Sequence, residues 1–170
     1  MSASLKEQPA RPAITTACVR ALSFVGLDAA DVEVEVQLSN GLPAFSIVGL
    51  PDKAVAESRE RVRAALGAMG LALPPRRITV NLAPADLLKE GAHFDLPIAL
   101  GLLVVMGVLP GDTIDGRLAL GELGLDGSLR PVSGVLAAAV AASERGLGLI
   151  CPAANGGEAA WLKDEIAILA

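Results

Sequence analysis

The fourteen residues from Leu96 to Leu109, LPIALGLLVVMGVL, contain no charged or hydrogen-bonding side chain. A helix that is apolar all round has to be enclosed, by protein or by lipid. Spanning a bilayer takes about 20 residues, so this run is too short to cross a membrane and is expected to form a core helix. It opens at Pro97, which suits a first helical turn because the missing N–H would be unpaired there anyway. Upstream lie a β-type run, Ile78-Thr79-Val80-Asn81-Leu82, and a polar turn, Lys89-Glu90-Gly91-Ala92-His93-Phe94-Asp95. Backbone N–H groups converge where a glycine turn enters a buried helix, and several enzyme families put a nucleophile or a phosphate at such a point. Arg76 to Leu109 is therefore the stretch around which the chain is organised.

The material available to enclose that helix narrows the fold class. The chain has 170 residues, enough for one domain with a substantial core. Its composition is 52% hydrophobic but only 2% aromatic, with no Tyr, so Ala, Leu, Val and Ile must fill the interior. That suits layered helices and strands at close spacing and excludes a base-stacking surface. A net charge of −5 argues against binding a polyanion over the whole surface. Cys18 and Cys151 are far apart, and no Cys/His grouping has zinc spacing, which points to a reducing, cytoplasmic setting. Residues 1–16 are expected to be a disordered lead-in, polar and lacking the apolar core of a signal peptide, and 17–170 a single domain.

Along the chain, strands are expected over Ala17 to Val25 and over Val32 to Leu38, where Val32, Val34, Val36 and Leu38 alternate with Glu33, Glu35 and Gln37. The glutamates are read as a solvated face, since no His or Asp stands at ligand spacing. Ala44 to Val48 is expected to pair back on the second strand through the Asn40-Gly41 turn. Asp52 is placed as the N-cap of a helix running from Lys53 to Met69 and stopped by Gly70. Beyond the central stretch, Arg117 to Leu120 and Gly127 to Arg130 are short strands with Asp126-Gly127 as a turn, and Val135 to Glu144 is an Ala-rich helix. Leu147 to Ile150 is a further strand, Asn155 and Glu158 form a capping-box-like start to a short helix with Trp161, and Ile166 to Leu169 closes the chain.

Three candidate sites follow. Arg59, Arg61, Arg63, Arg76 and Arg77 make the most basic region of an acidic chain, a possible DNA or partner contact that Glu57 and Glu60 can partly neutralise. His93, the one histidine, could act with Glu90 or Asp95 as a base or ligand, against the plainer expectation of a partly exposed turn residue. Ser46, Ser128 and Ser133 with Lys89 are the material for a displaced hydroxyl nucleophile and amine.

Three segments in order, SNGLPAFSIVGLPDKAVAESRERVRAAL, RRITVNLAPADLLKEGAHFDLPIALGLL and LGELGLDGSLRPVSGV, resemble the N-terminal domain of the magnesium-chelatase-like AAA+ ATPases of the competence-protein ComM/YifB type, over nearly the whole chain from Val19. The resemblance implies an α+β domain of the ribosomal-S5-domain-2-like fold, similar to the C-terminal proteolytic domain of Lon proteases. It also permits a residue-level comparison. Lon's serine lies in a turn of the form Asp-Gly-Pro-Ser-Ala-Gly, matched here by Glu90-Gly91-Ala92-His93-Phe94-Asp95, which puts His93 at the serine position. Lon's lysine follows a Pro-Ile-Gly-Gly segment, matched by Pro131-Val132-Ser133-Gly134, which puts Leu136 at the lysine position. An imidazole and an isobutyl group cannot form a Ser-Lys dyad.

No Gly-x-x-x-x-Gly-Lys-[Ser/Thr] loop occurs in these residues, so ATP and Mg are expected only on the AAA+ half of such a protein. The expected role is a non-catalytic module that assists assembly of a hexameric AAA+ ring, or positions DNA or a partner, in DNA uptake, recombination or branch migration, with no metal and no membrane association. The alternative is a small-molecule or peptide-binding domain that reuses the groove near Gly91.

Overall fold

The computed structural model describes residues 14–26 and 28–170. Among these residues nine strands, five α-helices and several 3₁₀ turns make a mixed α+β domain. In chain order these are β1 (Ile14–Val25), β2 (Asp28–Ser39), β3 (Ala44–Val48), α1 (Lys53–Ala56), α2 (Ser58–Ala68), β4 (Arg77–Ala83), α3 (Asp95–Val105), β5 (Arg117–Ala119), β6 (Glu122–Leu123), β7 (Leu129–Arg130), α4 (Val135–Glu144), β8 (Gly148–Ile150), α5 (Gly156–Ala159) and β9 (Ile168–Leu169). Seven strands form one sheet in the order β3-β4-β2-β1-β5-β8-β9, and β6 and β7 form a separate ribbon. The pairs β1–β2 and β2–β4 are antiparallel; the other four pairs of the large sheet are parallel.

Side-chain alternation divides the sheet between two cores. Val32, Val34, Val36 and Leu38 are each at most 3% exposed and join Val19, Ala21 and Ala119 under α2 and α3. Leu22, Leu118 and Leu149 point the other way and pack with α4 and α5. The expected alternation in β2 is therefore observed, with Glu33 and Glu35 on the uncovered part of the second face. The central helix α3 is buried along almost its whole length, as its composition requires, and ends at Val105 rather than Leu109. A Cβ at Gly101 would come within 2.5 Å of Val36 Cγ2, so glycine lets the helix settle directly on the sheet. No helix among the described residues is long and apolar enough to cross a membrane.

Several expectations are corrected. β3 does not pair with β2, because β4 lies between them and takes β2 on one side and β3 on the other. The helix expected over Lys53 to Met69 is broken at Glu57 into α1 and α2, while Asp52 does cap α1, its Oδ1 accepting from the Val55 N–H at 2.8 Å. β1 begins at Ile14, inside the stretch expected to be a disordered lead-in; residues 1–13 of that stretch lie outside the described residues. Asn155 stands at the N-cap position of α5 and its Nδ2 donates to Glu158 Oε1 at 3.0 Å, as the spacing suggests, but its side chain caps no helix N–H and bonds instead to the backbone of Val132.

Candidate functional site

The turn before α3 is held by partners distant in sequence. Asp52 Oδ2 accepts from the Gly91 N–H at 3.3 Å, and the Asp52 N–H donates to the Lys89 carbonyl at 2.9 Å. Gly91 has φ +94°, a conformation that favours glycine. His93 follows in a 3₁₀ turn, Ala92–Phe94, and is 8% exposed. This corrects the expectation of a partly exposed turn residue. Its Nε2 is 2.7 Å from the Leu22 carbonyl oxygen, a contact that needs the proton on Nε2, and its ring packs between Phe24 and Phe94. Burial pushes the imidazole below its ordinary pKa, opposed by the Leu22 carbonyl and the charges of Asp95 and Asp52.

Two of the backbone donors at this turn are already engaged. The Gly91 N–H goes to Asp52, and the Leu96 N–H at the head of α3 goes to the Gly121 carbonyl at 3.0 Å.

Facing this turn is Pro131–Ser133, and between the two lies a groove of about 360 Å³, also lined by Phe24 and Glu122. The Pro131 wall is fixed by Asn155, whose Oδ1 accepts from the Val132 N–H and whose Nδ2 donates to the Val132 carbonyl, both at 3.0 Å. The two segments matched to the loops of a Ser-Lys dyad thus meet across one groove. His93 and Ser133 line it, but Leu136 does not: it is 47% exposed on α4, beside a separate depression with Val140 and Arg145.

Lys89 is fully buried and turned away from the groove, with its Nζ donating to the carbonyls of Gly49 and Pro84. Desolvation lowers its pKa, against the pull of Asp86. None of the three candidate serines bonds to it: Ser46 is exposed on β3, Ser128 donates to Asp126, and Ser133 stands across the groove. Neither cysteine is activated, since burial raises both thiols, aided at Cys18 by Glu33 and Glu35 and at Cys151 by Glu158. No group of three or more His, Cys, Asp or Glu among the described residues could hold a metal.

Nearby, Asp95 is completely buried and saturated with donors. Ser58 Oγ donates to it at 2.5 Å, Arg61 at 2.6 and 3.0 Å, and the Leu123 N–H at 3.1 Å. This joins α2, α3 and β6, and it removes Arg61 from the expected basic cluster. Of the remaining arginines, Arg59 is half-exposed beside Glu60, Arg63 and Arg76 share the rim of a depression formed with Pro43, Pro74 and Pro75, and Arg77 is exposed at the start of β4.

An α+β domain whose two glycine-bearing loops, around Gly91 and Gly134, flank one groove is now joined by a family match. The sequence model described as subunit ChlI of Mg-chelatase matches residues 34–155, and the chain belongs to this family. It is 44% identical over 152 residues to the competence protein ComM of Haemophilus influenzae, which covers 89% of this chain and 30% of that protein. It is 40% identical, with the same coverage, to the uncharacterized proteins YifB of Salmonella typhimurium and of Escherichia coli. The chain thus spans about a third of the length of these curated relatives.

Proposed function

We propose that this chain is the non-catalytic N-terminal module of a magnesium-chelatase-like AAA+ ATPase, one that assists ring assembly and positions DNA or a partner protein beside the ring. The observation that carries this reading is the groove itself. Its walls are the two segments that resemble the dyad loops of Lon, yet the nucleophile position holds a buried imidazole, the amine position is Leu136, and Lys89 is tied to backbone carbonyls. A ribosomal-S5-domain-2-like fold similar to the Lon proteolytic domain is consistent with helices on both faces of a mixed sheet. ATP and Mg belong to the AAA+ half, and the name of the Haemophilus relative, a competence protein, favours work on incoming DNA in the cytoplasm.

A hexamer would repeat Arg59, Arg63, Arg76 and Arg77 six times around one surface, enough positive charge to follow a phosphate backbone although each copy is acidic. The test has two readouts. The purified chain, incubated with casein and with ATP, is expected to turn over neither, and turnover that survives repeated purification would sink the reading. In the full-length protein, Arg59→Glu with Arg63→Glu should lower DNA affinity and flatten its dependence on salt; an unchanged affinity and slope would remove DNA from the proposal.

A further inference from the structure

We propose that the groove between the Gly91 turn and Pro131–Ser133 binds a guanidinium or alkylammonium group of the kind carried by a basic side chain. This rests on reading the groove as a binding site without a nucleophile and base.

Among the described residues the ionisable acids lining the groove are Glu90 and Glu122; neither is within ion-pair distance of a cation, although Glu122 feels the charge of Arg61. Arg130 stands opposite Glu122 in the β6–β7 ribbon but does not line the groove. His93 adds an independent sign of a ligand. More than nine-tenths buried, it lines the groove with its proton fixed on Nε2 by Leu22, which leaves Nδ1 as a bare acceptor. Nδ1 has no hydrogen-bond partner among the described residues, and it looks toward Gly91, where an added Cβ would stand 3.1 Å away.

Phe24 also lines the groove, its ring held between Gly134, where a Cβ would come within 2.9 Å of it, and the imidazole of His93, centred 5.4 Å away. An aromatic ring beside two carboxylates and a neutral imidazole acceptor is complementary to a flat or compact cation. An anion would meet the charges of Glu90 and Glu122, and the Gly91 and Leu96 N–H groups are already bonded to Asp52 and Gly121. Burial keeps the imidazole neutral, so the acceptor persists at neutral pH.

The experiment titrates the ¹⁵N-labelled 170-residue chain with acetyl-Ala-Ala-Arg-Ala-Ala-amide and with the same peptide carrying citrulline, the neutral isostere of arginine. Acetyl-arginine-methylamide and spermidine serve as free cations. The arginine peptide should bind at least about tenfold more tightly than the citrulline peptide, the scale of one charge-assisted hydrogen bond. Backbone signals of Gly91, Ala92 and Ser133 should move. The double variant Glu90→Gln, Glu122→Gln, checked as folded from its own spectrum, should lose that preference.

Free cations that bind as tightly as the peptide would define the ligand as a small cation, and binding of the peptide alone would define it as a basic segment of a protein; either result upholds the site. Equal binding of the two peptides, signals moving only elsewhere, or no binding at millimolar concentration overturns it. Cleavage of the peptide, followed by mass in the same samples, would instead overturn the non-catalytic reading, whichever peptide binds.

Discussion

Asp95 and His93 stand two residues apart at the entrance to α3, and the fold uses them in opposite ways. Asp95 is surrounded by Ser58, Arg61 and the Leu123 N–H, so its charge is neutralised and its oxygens are satisfied inside the protein. His93 is nearly as buried but satisfied on one side only: Nε2 reaches the Leu22 carbonyl, while Nδ1 has no hydrogen-bond partner among the described residues and lies beside Gly91, which lines with it a groove of about 360 Å³. The contrast separates a polar residue that closes the structure from one that leaves it open to a ligand. A buried group with every partner present is a poor recognition element, because a ligand has nothing left to satisfy.

The largest expected effect breaks the closed side. Asp95→Ala should destabilise the domain by about 3–5 kcal/mol in urea unfolding, since it strands the mostly buried guanidinium of Arg61. Replacing both partners, Arg61→Met with Asp95→Leu, should recover much of that loss, and a double variant no better than the single one would show that packing rather than charge dominates. Next comes the groove wall. Asn155→Ala leaves the Val132 N–H and carbonyl without their partner and should cost about 1–3 kcal/mol while loosening the Pro131 side. Hydrogen exchange at Val132 and Ser133 should quicken in that variant, and unchanged exchange would mean that the prolines and sheet hold the wall alone.

The open side is probed by pH. Because His93 is held neutral by burial, its folded-state pKa lies below the ordinary value of 6.5. As pH falls through 6.5 the unfolded chain takes up a proton that the folded chain refuses. The stability is therefore fully present above 6.5 and is lost as pH drops toward the folded-state pKa, with a slope of at most about 1.4 kcal/mol per pH unit for this one group. His93→Gln should remove that component from a series of unfolding curves between pH 7 and 5, and an unaltered slope would assign it to the carboxylates. The smallest effect is expected on the exposed helix face, where Arg59→Glu or Arg63→Glu should each change stability by no more than about 0.5 kcal/mol. Arg61→Glu at the neighbouring position should be far more damaging, which separates the inward arginine from the outward ones.

What could be read from the sequence, and what could not, follows the range of the interactions involved. The period-two pattern of Val32, Val34, Val36 and Leu38 and the unbroken apolar run of α3 are local signals, and each is matched by the observed burial. The Asp52 cap is equally local. The Asn155-Glu158 spacing gives the same kind of signature, and the two side chains do bond, but the buried amide also finds Val132, 23 residues away, in place of a helix N–H. The expectation for His93 is partial exposure because turns usually lie at the surface, and its partner Leu22 lies 71 residues upstream. Arg61 could not be told from Arg59 and Arg63 by charge alone. A sharper signal was present, since Arg61 falls three residues after Ser58 and so shares its helical face with a small polar residue that could follow it inward. The meeting of the Gly91 and Pro131 loops in one groove needed the family resemblance, because no periodicity encodes which loops converge.

The sheet order has a consequence for timing. β1 and β2 can zip together as soon as both have been synthesised, because they are adjacent in the chain and pair from Ile14↔Ser39 to Val25↔Asp28. β3 has no such opportunity: its one neighbour is β4, which begins at Arg77, beyond two helices, and β4 itself needs β2. On the ribosome, the uncharged segment from Val36 to Pro51 must therefore wait through the synthesis of α1 and α2 with Ala44–Val48 unpaired. The most aggregation-prone moment in the life of this protein is expected to fall in that interval, well before the chain is complete.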